Sequence, residues 1–312
     1  MSQPHGHVLV IGSAGLDIVG RPRDQLRPGS SAPGQLRSSL GGVGRNVAEN
    51  LARLGTEVVL ITAVGDDAEG KRLLNQTAEA GVDIGHVLSV PGQETGAYLA
   101  VLDGVGSLHL ALDDMRVIEM LTPEFVRERR DLFQGAAAVI LDANLPPRTI
   151  AACLALAQRA HAHVAADPAS VGLAPRLTPH LKDLWLIACS EAEVEALCSS
   201  FAAPRAGRGR TIECARRLVS LGVEVAIVTT PDFGLGYAGA EGSGHVPAMQ
   251  TEIVDPTGAG DALTAAVIFG LLNDIPLDEA VRLGVSAAAL TLRWRGSVVP
   301  DLSLERLYAG LR

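Results

Sequence analysis

The sequence predicts an α/β fold in three Rossmann-like layers, with a central, mostly parallel sheet between two layers of helices and a small β lid. Short β-branched and apolar runs alternate with segments of helical periodicity, which is typical of a parallel sheet covered on both faces. Two insertions without helices break this alternation. No internal repeat or linker divides the chain, so we expect one domain over residues 1–312.

The individual elements follow from local signals. Thr122 before Pro123 marks a helix start, because threonine caps helices and proline suits the first helical turn. The predicted strands are His7 to Gly12, Glu57 to Val64, Ala137 to Leu141, His163 to Ala166, Leu184 to Ala188 and Glu224 to Thr229. The predicted helices are Gly44 to Leu54, Ala68 to Ala80, Thr122 to Phe133, Pro147 to Ala162, Ser190 to Cys198 and Thr211 to Leu221, and the last third ends in helices.

The two insertions predict the lid. Ala97 to Leu112 has two strand-like runs joined by a glycine-containing turn, which predicts a hairpin. Arg21 to Leu40 is rich in proline, glycine and serine. Both follow early strands, so we expect them to leave the sheet at the carboxyl ends of its strands, where α/β sheets bind ligands. The expected lid spans about residues 17–40 and 95–115.

Composition excludes several classes of protein. The chain has 26 basic and 35 acidic residues and no basic block interleaved with aromatic residues, which argues against a nucleic-acid partner. No signal-like pattern or membrane-spanning apolar run is present, so we expect a cytoplasmic protein without a membrane partner. Four cysteines without C-x-x-C spacing are expected to be reduced and buried: Cys153, Cys189, Cys198 and Cys214.

The segment D-P-T-G-A-G-D, Asp255 to Asp261, stands directly before a long apolar run. Gly258, Ala259 and Gly260 leave backbone N–H groups uncovered at a loop-to-helix junction, where the helix dipole favours an anion. Asp261 beside this junction suits a base that takes a proton from a hydroxyl group during phosphoryl transfer. A glycine-rich turn before a buried helix explains the same residues without chemistry.

Polar residues near the first strand and first helix suit a sugar. Gly41 and Gly42 allow a polar ligand to approach bare backbone, and Asn46 offers both a donor and an acceptor to hydroxyl groups. Asp17, just beyond the first strand, could accept two hydrogen bonds from a vicinal diol. The alternatives are an ordinary glycine turn before an amphipathic helix and a turn aspartate that bonds its own backbone.

Asp17, the double glycine with Asn46 and the G-A-G-D box, in this order and spacing, resemble the ribokinase or PfkB family of carbohydrate kinases. The resemblance runs from the first strand to the final helices and implies the ribokinase fold. Within the family, four stretches are most similar to pseudouridine kinases: Gly12 to Pro22, the phrase G-G-V-G-R-N-V-A-E-N-L-A-R-L-G, the hairpin with Leu112 to Met115, and Ala165 to Ala169.

The resemblance implies an ATP-dependent kinase that phosphorylates the 5′-hydroxyl of pseudouridine and releases ADP. Asp261 would be the catalytic base, with Gly258, Ala259 and Gly260 as the anion hole. The implied sugar contacts are Asp17, Gly41, Gly42 and Asn46, with Asn144 as a sugar or base contact; the implied nucleotide contacts are Ser190, Thr229, Gly234 and Gly260. Glu193 would bind Mg²⁺ through water, and Asp255 and Thr257 would bind a monovalent cation such as K⁺.

Two departures from the family pattern leave alternatives open. Ser190 replaces the asparagine of the family's N-x-x-E motif, and Ser190 with Glu193 also forms a capping-box pattern. Pro231 replaces a customary glycine, and because proline lacks an N–H and has a fixed φ, we expect the nucleotide phosphates or the adjoining loop to be held differently. The alternatives are therefore a ribokinase or other sugar or nucleoside kinase, and a ligand-binding paralogue without turnover.

The lid also predicts a homodimer. The apolar residues Leu99, Val101, Leu108 and Leu110 alternate along the predicted hairpin and leave one of its faces in need of cover.

Overall fold

The computed structural model describes residues 6–27, 29–103, 108–198, 208–230 and 234–311. Pro231 lies outside these ranges. The described strands are β1 Val8–Ile11, β2 Gly15–Pro22, β3 Gly34–Gly41, β4 Val58–Ile61, β5 Ala63–Gly65, β6 Val82–Asp83, β7 Leu88–Val90, β8 Gly96–Leu102, β9 Leu108–Asp114, β10 Ala138–Asp142, β11 His163–Asp167, β12 Leu186–Ser190, β13 Val225–Thr230, β14 Gly234–Gly239 and β15 Gly242–Val246. The described α-helices are α1 Val43–Arg53, α2 Ala68–Glu79, α3 Pro123–Glu128, α4 Pro147–Ala160, α5 Glu191–Leu197, α6 Arg208–Ser220, α7 Ala259–Leu272, α8 Leu277–Leu292 and α9 Leu304–Gly310.

The central sheet confirms the predicted α/β class. Its strand order is β15-β14-β13-β12-β11-β10-β1-β4-β6. Neighbouring strands from β13 to β6 pair in parallel, whereas β14 and β15 extend one edge in antiparallel orientation. The sheet is therefore mostly parallel, and its carboxyl edge carries the ends of β1, β10, β11 and β12.

Alternation along the central strands produces two hydrophobic cores. Val8 and Val10 of β1 pack with residues of α1, α7 and α8 on one face. Leu9 and Ile11 pack with residues of α4 and α6 on the other face. Because successive side chains of a strand point to opposite faces, each buried strand needs apolar residues at every position. This requirement explains the continuous apolar runs in the sequence.

Two predicted elements are divided in the structure. The strand predicted from Glu57 to Val64 is interrupted at Thr62, and its second part, β5, pairs with β7 in a separate two-stranded sheet. The helix predicted from Thr122 to Phe133 becomes α3 followed by a 3₁₀ helix at Arg130–Phe133. Its predicted cap is confirmed, since the Thr122 hydroxyl accepts a hydrogen bond from the Phe125 N–H.

Both insertions contribute to one four-stranded sheet of order β3-β2-β8-β9. β8 and β9 form the predicted hairpin, and β2 pairs in parallel with β8 and antiparallel with β3. Asp17 therefore lies within strand β2 of this second sheet, where its backbone is paired on both sides, and not in a turn after the first strand. We call this four-stranded sheet the lid sheet.

The four cysteines are free and buried, as expected from their spacing. Burial raises the pKa of the Cys153 thiol to about 12, so this side chain is a poor nucleophile. Among the helices in the described ranges, none is long and apolar enough to cross a membrane.

Candidate active site

A cleft of about 420 Å³ lies between the carboxyl edge of the central sheet and the inner face of the lid sheet. It brings together side chains that are far apart in the sequence. The sequence-predicted site residues that line it are Asp17, Gly42, Asn46, Asn144, Asp255, Thr257, Gly258 and Asp261. Gly41, Ala259 and Gly260 adjoin these residues in the chain, whereas Ser190, Glu193, Thr229 and Gly234 do not line this cleft.

Asp261 and Asn46 are joined directly across the cleft. The Asn46 side-chain N–H donates to Asp261 Oδ2 over 2.7 Å. Asn46 is only 2% exposed, and its Oδ1 accepts hydrogen bonds from Arg45 and from the Ser297 hydroxyl at 3.1 and 3.0 Å. These two donors fix which end of the amide faces Asp261. Asn46 therefore presents an N–H to the carboxylate.

The environment of Asp261 suits a proton acceptor. Burial, reinforced by the negative charges of Asp17 and Asp142, raises the pKa of Asp261 to about 7, although the Asn46 hydrogen bond and the Arg45 charge oppose this. Ionised Asp261 is therefore a stronger base than an ordinary aspartate, whose pKa lies near ~3.9. A base is most effective when its pKa lies near the working pH.

The first turn of α7 forms a backbone cradle beside Asp261. Gly258 caps this helix in the left-handed region, with φ of 77°, and a Cβ atom there would overlap the backbone of Ser297. The position therefore requires glycine. At Gly260 a Cβ atom would meet nothing within 4 Å, so the backbone is open on that side. The first N–H groups of a helix lack acceptors within it and attract anions.

Asp17 faces the cleft from the lid sheet and is 8% exposed. A Cβ atom at Gly41 would collide with the Asp17 carboxyl group, so the glycine makes room for this side chain. Burial, together with the charge of Asp255, raises the pKa of Asp17 to about 6, while Arg45 opposes the shift. The carboxyl group retains its capacity to accept hydrogen bonds from hydroxyl groups.

Asp142, which sequence reasoning missed, organises the opposite wall. Its Oδ2 accepts hydrogen bonds from the Ser13 N–H, the Ser13 hydroxyl and the Gly44 N–H, at 2.6, 2.9 and 2.9 Å. The Ser13 hydroxyl in turn accepts from the Asn144 side chain over 3.1 Å. This carboxyl group therefore ties β10 to the loop after β1 and to the start of α1. It positions Asn144 and the double glycine without itself lining the cleft.

The pattern of the pfkB family carbohydrate kinases matches residues 6–302. The chain belongs to this family. It is a phosphotransferase with an alcohol group as acceptor, as the resemblance implied.

Named relatives cover nearly the whole chain. The pseudouridine kinase of Escherichia coli (strain K12) is 31% identical over 302 residues, which cover 96% of this chain and 95% of that protein. The guanosine-inosine kinase of Exiguobacterium acetylicum is 28% identical over 298 residues, covering 95% and 97%. The structure of Arabidopsis thaliana ribokinase complexed with ribose and ATP is similar in fold, with a TM-score of 0.83, 21% identity and 99% coverage of each chain.

The nucleotide residues expected from the family lie along the same sheet edge. Ser190 ends β12 and is the register partner of Thr229 on β13. Gly234 begins β14 with φ of 86°, and a Cβ atom there would meet the backbone of Val246 and Ala248. Ser190 also directly precedes α5. A nucleotide bound here would lie beside the cleft and outside it.

Ser190 and Glu193 form the capping box that the sequence suggested. The Glu193 carboxylate accepts hydrogen bonds from the Ser190 N–H and hydroxyl, at 2.7 and 2.9 Å. Asp167, a second residue that sequence reasoning missed, ends β11, the strand between β10 and β12. Burial and the charges of Asp261, Glu193 and Asp142 raise the pKa of Asp167 well above its ordinary range. These carboxyl groups create a field that favours a cation.

Among the described residues, no group of three or more His, Cys, Asp or Glu side chains lies close enough together to hold a metal ion. Mg²⁺ usually keeps several waters and combines one or two carboxylates with substrate phosphates. Glu193 and Asp167 fit that mode of binding. Asp255, whose Oδ1 accepts from the Thr257 N–H over 3.0 Å, adds oxygen atoms at the cleft beside α7.

Proposed function

We propose that this chain transfers the γ-phosphoryl group of ATP to the 5′-hydroxyl of pseudouridine. The observation that carries the proposal is the Asp261 carboxylate, held by Asn46 beside the open N-terminus of α7 and inside the cleft that Asp17 closes from the lid sheet. A base and an anion cradle next to each other are what transfer to an alcohol requires.

The proposed mechanism uses residues of this chain for position, charge and proton transfer. Asp17 and Asn46 orient the ribose so that its primary hydroxyl faces Asp261. The hydroxyl oxygen attacks the γ-phosphorus, the bond to the bridging oxygen breaks, and ADP leaves. Asp261 takes the hydroxyl proton and later releases it to solvent. The first N–H groups of α7 stabilise the negative charge on the transferred group.

Pseudouridine is the proposed acceptor because the similarity to the Escherichia coli pseudouridine kinase extends over the full chain. The cleft supports a nucleoside, since its lining continues across the lid sheet from Asp17 to Tyr98 and Asp113. A guanosine or inosine kinase is the second candidate, because a relative with that activity has 28% identity. A ribokinase would leave this extension of the cleft unused.

We propose Mg²⁺ and a monovalent cation such as K⁺ as further requirements. Glu193, with Asp167 beside it, would hold Mg²⁺ through water, and the ion would neutralise charge on the phosphates of ATP. Asp255 and Thr257 would hold the monovalent cation. Both assignments rest on oxygen donors close to the proposed phosphate path.

We also propose a single-domain chain that dimerises through the outer face of its lid sheet. Leu36, Leu110 and Leu112 are exposed there, at 77%, 46% and 66%; the side chain of Leu108 lies outside the described residues. Two such faces would cover each other. Sedimentation that gives only a monomer at micromolar concentration would refute the dimer.

The four free cysteines suit a reducing compartment, and we propose the cytoplasm.

A substrate panel tests the proposed function. Pseudouridine, uridine, guanosine, inosine, adenosine, ribose and fructose are each incubated with ATP and Mg²⁺, and ADP formation is measured. We expect the highest kcat/KM for pseudouridine. Preference for a free sugar would refute the nucleoside assignment. Tight nucleoside binding without ADP formation would instead support the paralogue without turnover, which the departures at Ser190 and Pro231 suggested.

A further inference from the structure

A row of three polar side chains crosses the inner face of the lid sheet. Asp17 on β2 is the register partner of Tyr98 on β8, and Tyr98 is the register partner of Asp113 on β9. All three line the cleft. Residues that pair directly across neighbouring strands share one face of a sheet, so the row reads carboxylate, phenol, carboxylate.

The charges in this row act on each other. Burial, followed by the charges of Asp17 and Asp113, raises the pKa of Tyr98, which places the phenol between the two carboxyl groups. Burial and the charges of Asp114 and Asp142 raise the pKa of Asp113, whereas the Arg176 guanidinium opposes this. No hydrogen bond among the described residues uses the Asp113 carboxyl group. Its oxygen atoms are available to a ligand in the cleft.

The spacing fits a nucleoside. Neighbouring strands lie about 4.8 Å apart, so Asp17 and Asp113 stand about 10 Å apart across the lid sheet. A ribose held by Asp17 and Asn46, with its primary hydroxyl toward Asp261, directs its C1′ substituent away from Asp261 and along the row. The apolar side chains of Met115 and Leu173 also line the cleft.

We propose that Asp113 selects the nucleobase by accepting a hydrogen bond from a ring N–H group. This inference rests on the proposed function and adds the feature of the substrate that the cleft recognises. Pseudouridine carries two ring N–H groups, because its glycosidic bond uses carbon, whereas uridine carries one. A carboxylate accepts and cannot donate, so a base that presents only acceptors to Asp113 is rejected.

The test compares Asp113→Leu with Asp114→Leu. Asp114 is the next residue on β9, points to the other face and forms an exposed ion pair with Arg116. With pseudouridine, Asp113→Leu should lower kcat/KM by about tenfold to hundredfold, the usual effect of losing a hydrogen bond to a charged group. Most of the loss should appear in KM, because the base lies away from the reacting atoms. Asp114→Leu should change kcat/KM less than about twofold.

Ribose provides the second readout because it has no base. Its inhibition constant against pseudouridine should be the same for the wild type and Asp113→Leu. Asp113→Asn, which keeps one acceptor oxygen, should recover part of the lost activity. Equal weakening of ribose and pseudouridine, or no change with pseudouridine, would refute the role of Asp113. A wild-type protein that phosphorylates no nucleoside would refute the proposed function itself. If the wild type prefers another nucleoside, Asp113→Leu and Asp114→Leu are compared with that nucleoside as substrate.

Discussion

The hydrogen bond from Asn46 to Asp261 leads to a quantitative prediction about pH. The pKa of Asp261 is raised to about 7, so roughly half of the carboxyl groups are ionised at pH 7 and about one tenth at pH 6. Only the ionised form can accept the substrate proton. The kcat/KM value should therefore fall below pH 7 and level off near pH 8.

Replacing Asn46 by leucine removes a donor that stabilises the ionised form. A hydrogen bond to a charged group contributes about 1.5–3 kcal/mol, and 1.36 kcal/mol corresponds to about one pH unit. The acidic limb of kcat/KM should therefore move upward by about one to two pH units in Asn46→Leu. The direction follows because the lost hydrogen bond lowers the pKa of Asp261 in the wild type.

The assay is the pH dependence of kcat/KM between pH 5 and 9, as rough limits, at saturating ATP, since this parameter reports groups of the enzyme before the nucleoside binds. Asp17, with a pKa raised to about 6, should make the profile steeper below pH 6. Asp17→Asn should remove this steepening and lower the midpoint, because the Asp17 charge raises the pKa of Asp261. An acidic limb that stays in place in Asn46→Leu would refute the assignment of Asp261 as base.

Three further predictions concern positions around the cleft. Gly258→Ala should lower kcat/KM by about a hundredfold, because a Cβ atom there overlaps Ser297 and displaces the start of α7. At Gly260 the space is open, so Gly260→Ala should leave the melting temperature unchanged. Asp142→Ala should lower the free energy of unfolding in urea by about 3 kcal/mol, since buried N–H groups of Ser13 and Gly44 lose their acceptor; an effect below about 1 kcal/mol would contradict this. Ser190→Asn restores the family's N-x-x-E motif and should lower the Mg²⁺ concentration needed for half-maximal rate. It should change the free energy of unfolding by less than about 0.5 kcal/mol, because serine and asparagine both cap helices well. An unchanged Mg²⁺ requirement would argue against Glu193 as a magnesium residue.

The parts of the site that the sequence predicted lie on local motifs. Asn46 and the G-A-G-D box stand at the starts of α1 and α7, where a glycine-rich junction and an apolar helix follow each other directly in the chain. The glycine residues and the apolar run after them are enough to indicate a helix N-terminus with exposed N–H groups there. The hairpin of β8 and β9 was predictable for a similar reason, since its alternation and turn are contiguous.

Asp142 and Asp167 were missed because their environment is created by tertiary structure. They end the neighbouring strands β10 and β11 and are register partners, although 25 positions separate them, 167 − 142. Each of them ends a short apolar run in the sequence. Two apolar runs that both end in aspartate were the signal from which these residues could have been found. β14 and β15 were missed because they are rich in glycine, and pairing to β13 decides their conformation.

The position of Asp17 shows the same limit. Its sequence context, a glycine-rich stretch after the first strand, favours a turn, yet pairing with β3 and β8 makes it part of the lid sheet. Its inward direction follows from the register of three strands and not from the residues beside it. Tyr98 and Asp113 acquire their place in the cleft in the same way, from the register of β2, β8 and β9.

The most direct test of the central claim is Asp261→Asn, measured for both phosphoryl transfer and pseudouridine binding. We expect the rate of ADP formation at pH 8 to fall by about a thousandfold or more, with the dissociation constant for pseudouridine within about threefold of the wild-type value. Stability at pH 8 should not decrease, because the folded-state pKa of Asp261 lies above the ordinary value and its ionisation at pH 8 opposes folding. Retained turnover, or parallel losses of turnover, binding and stability, would contradict the account.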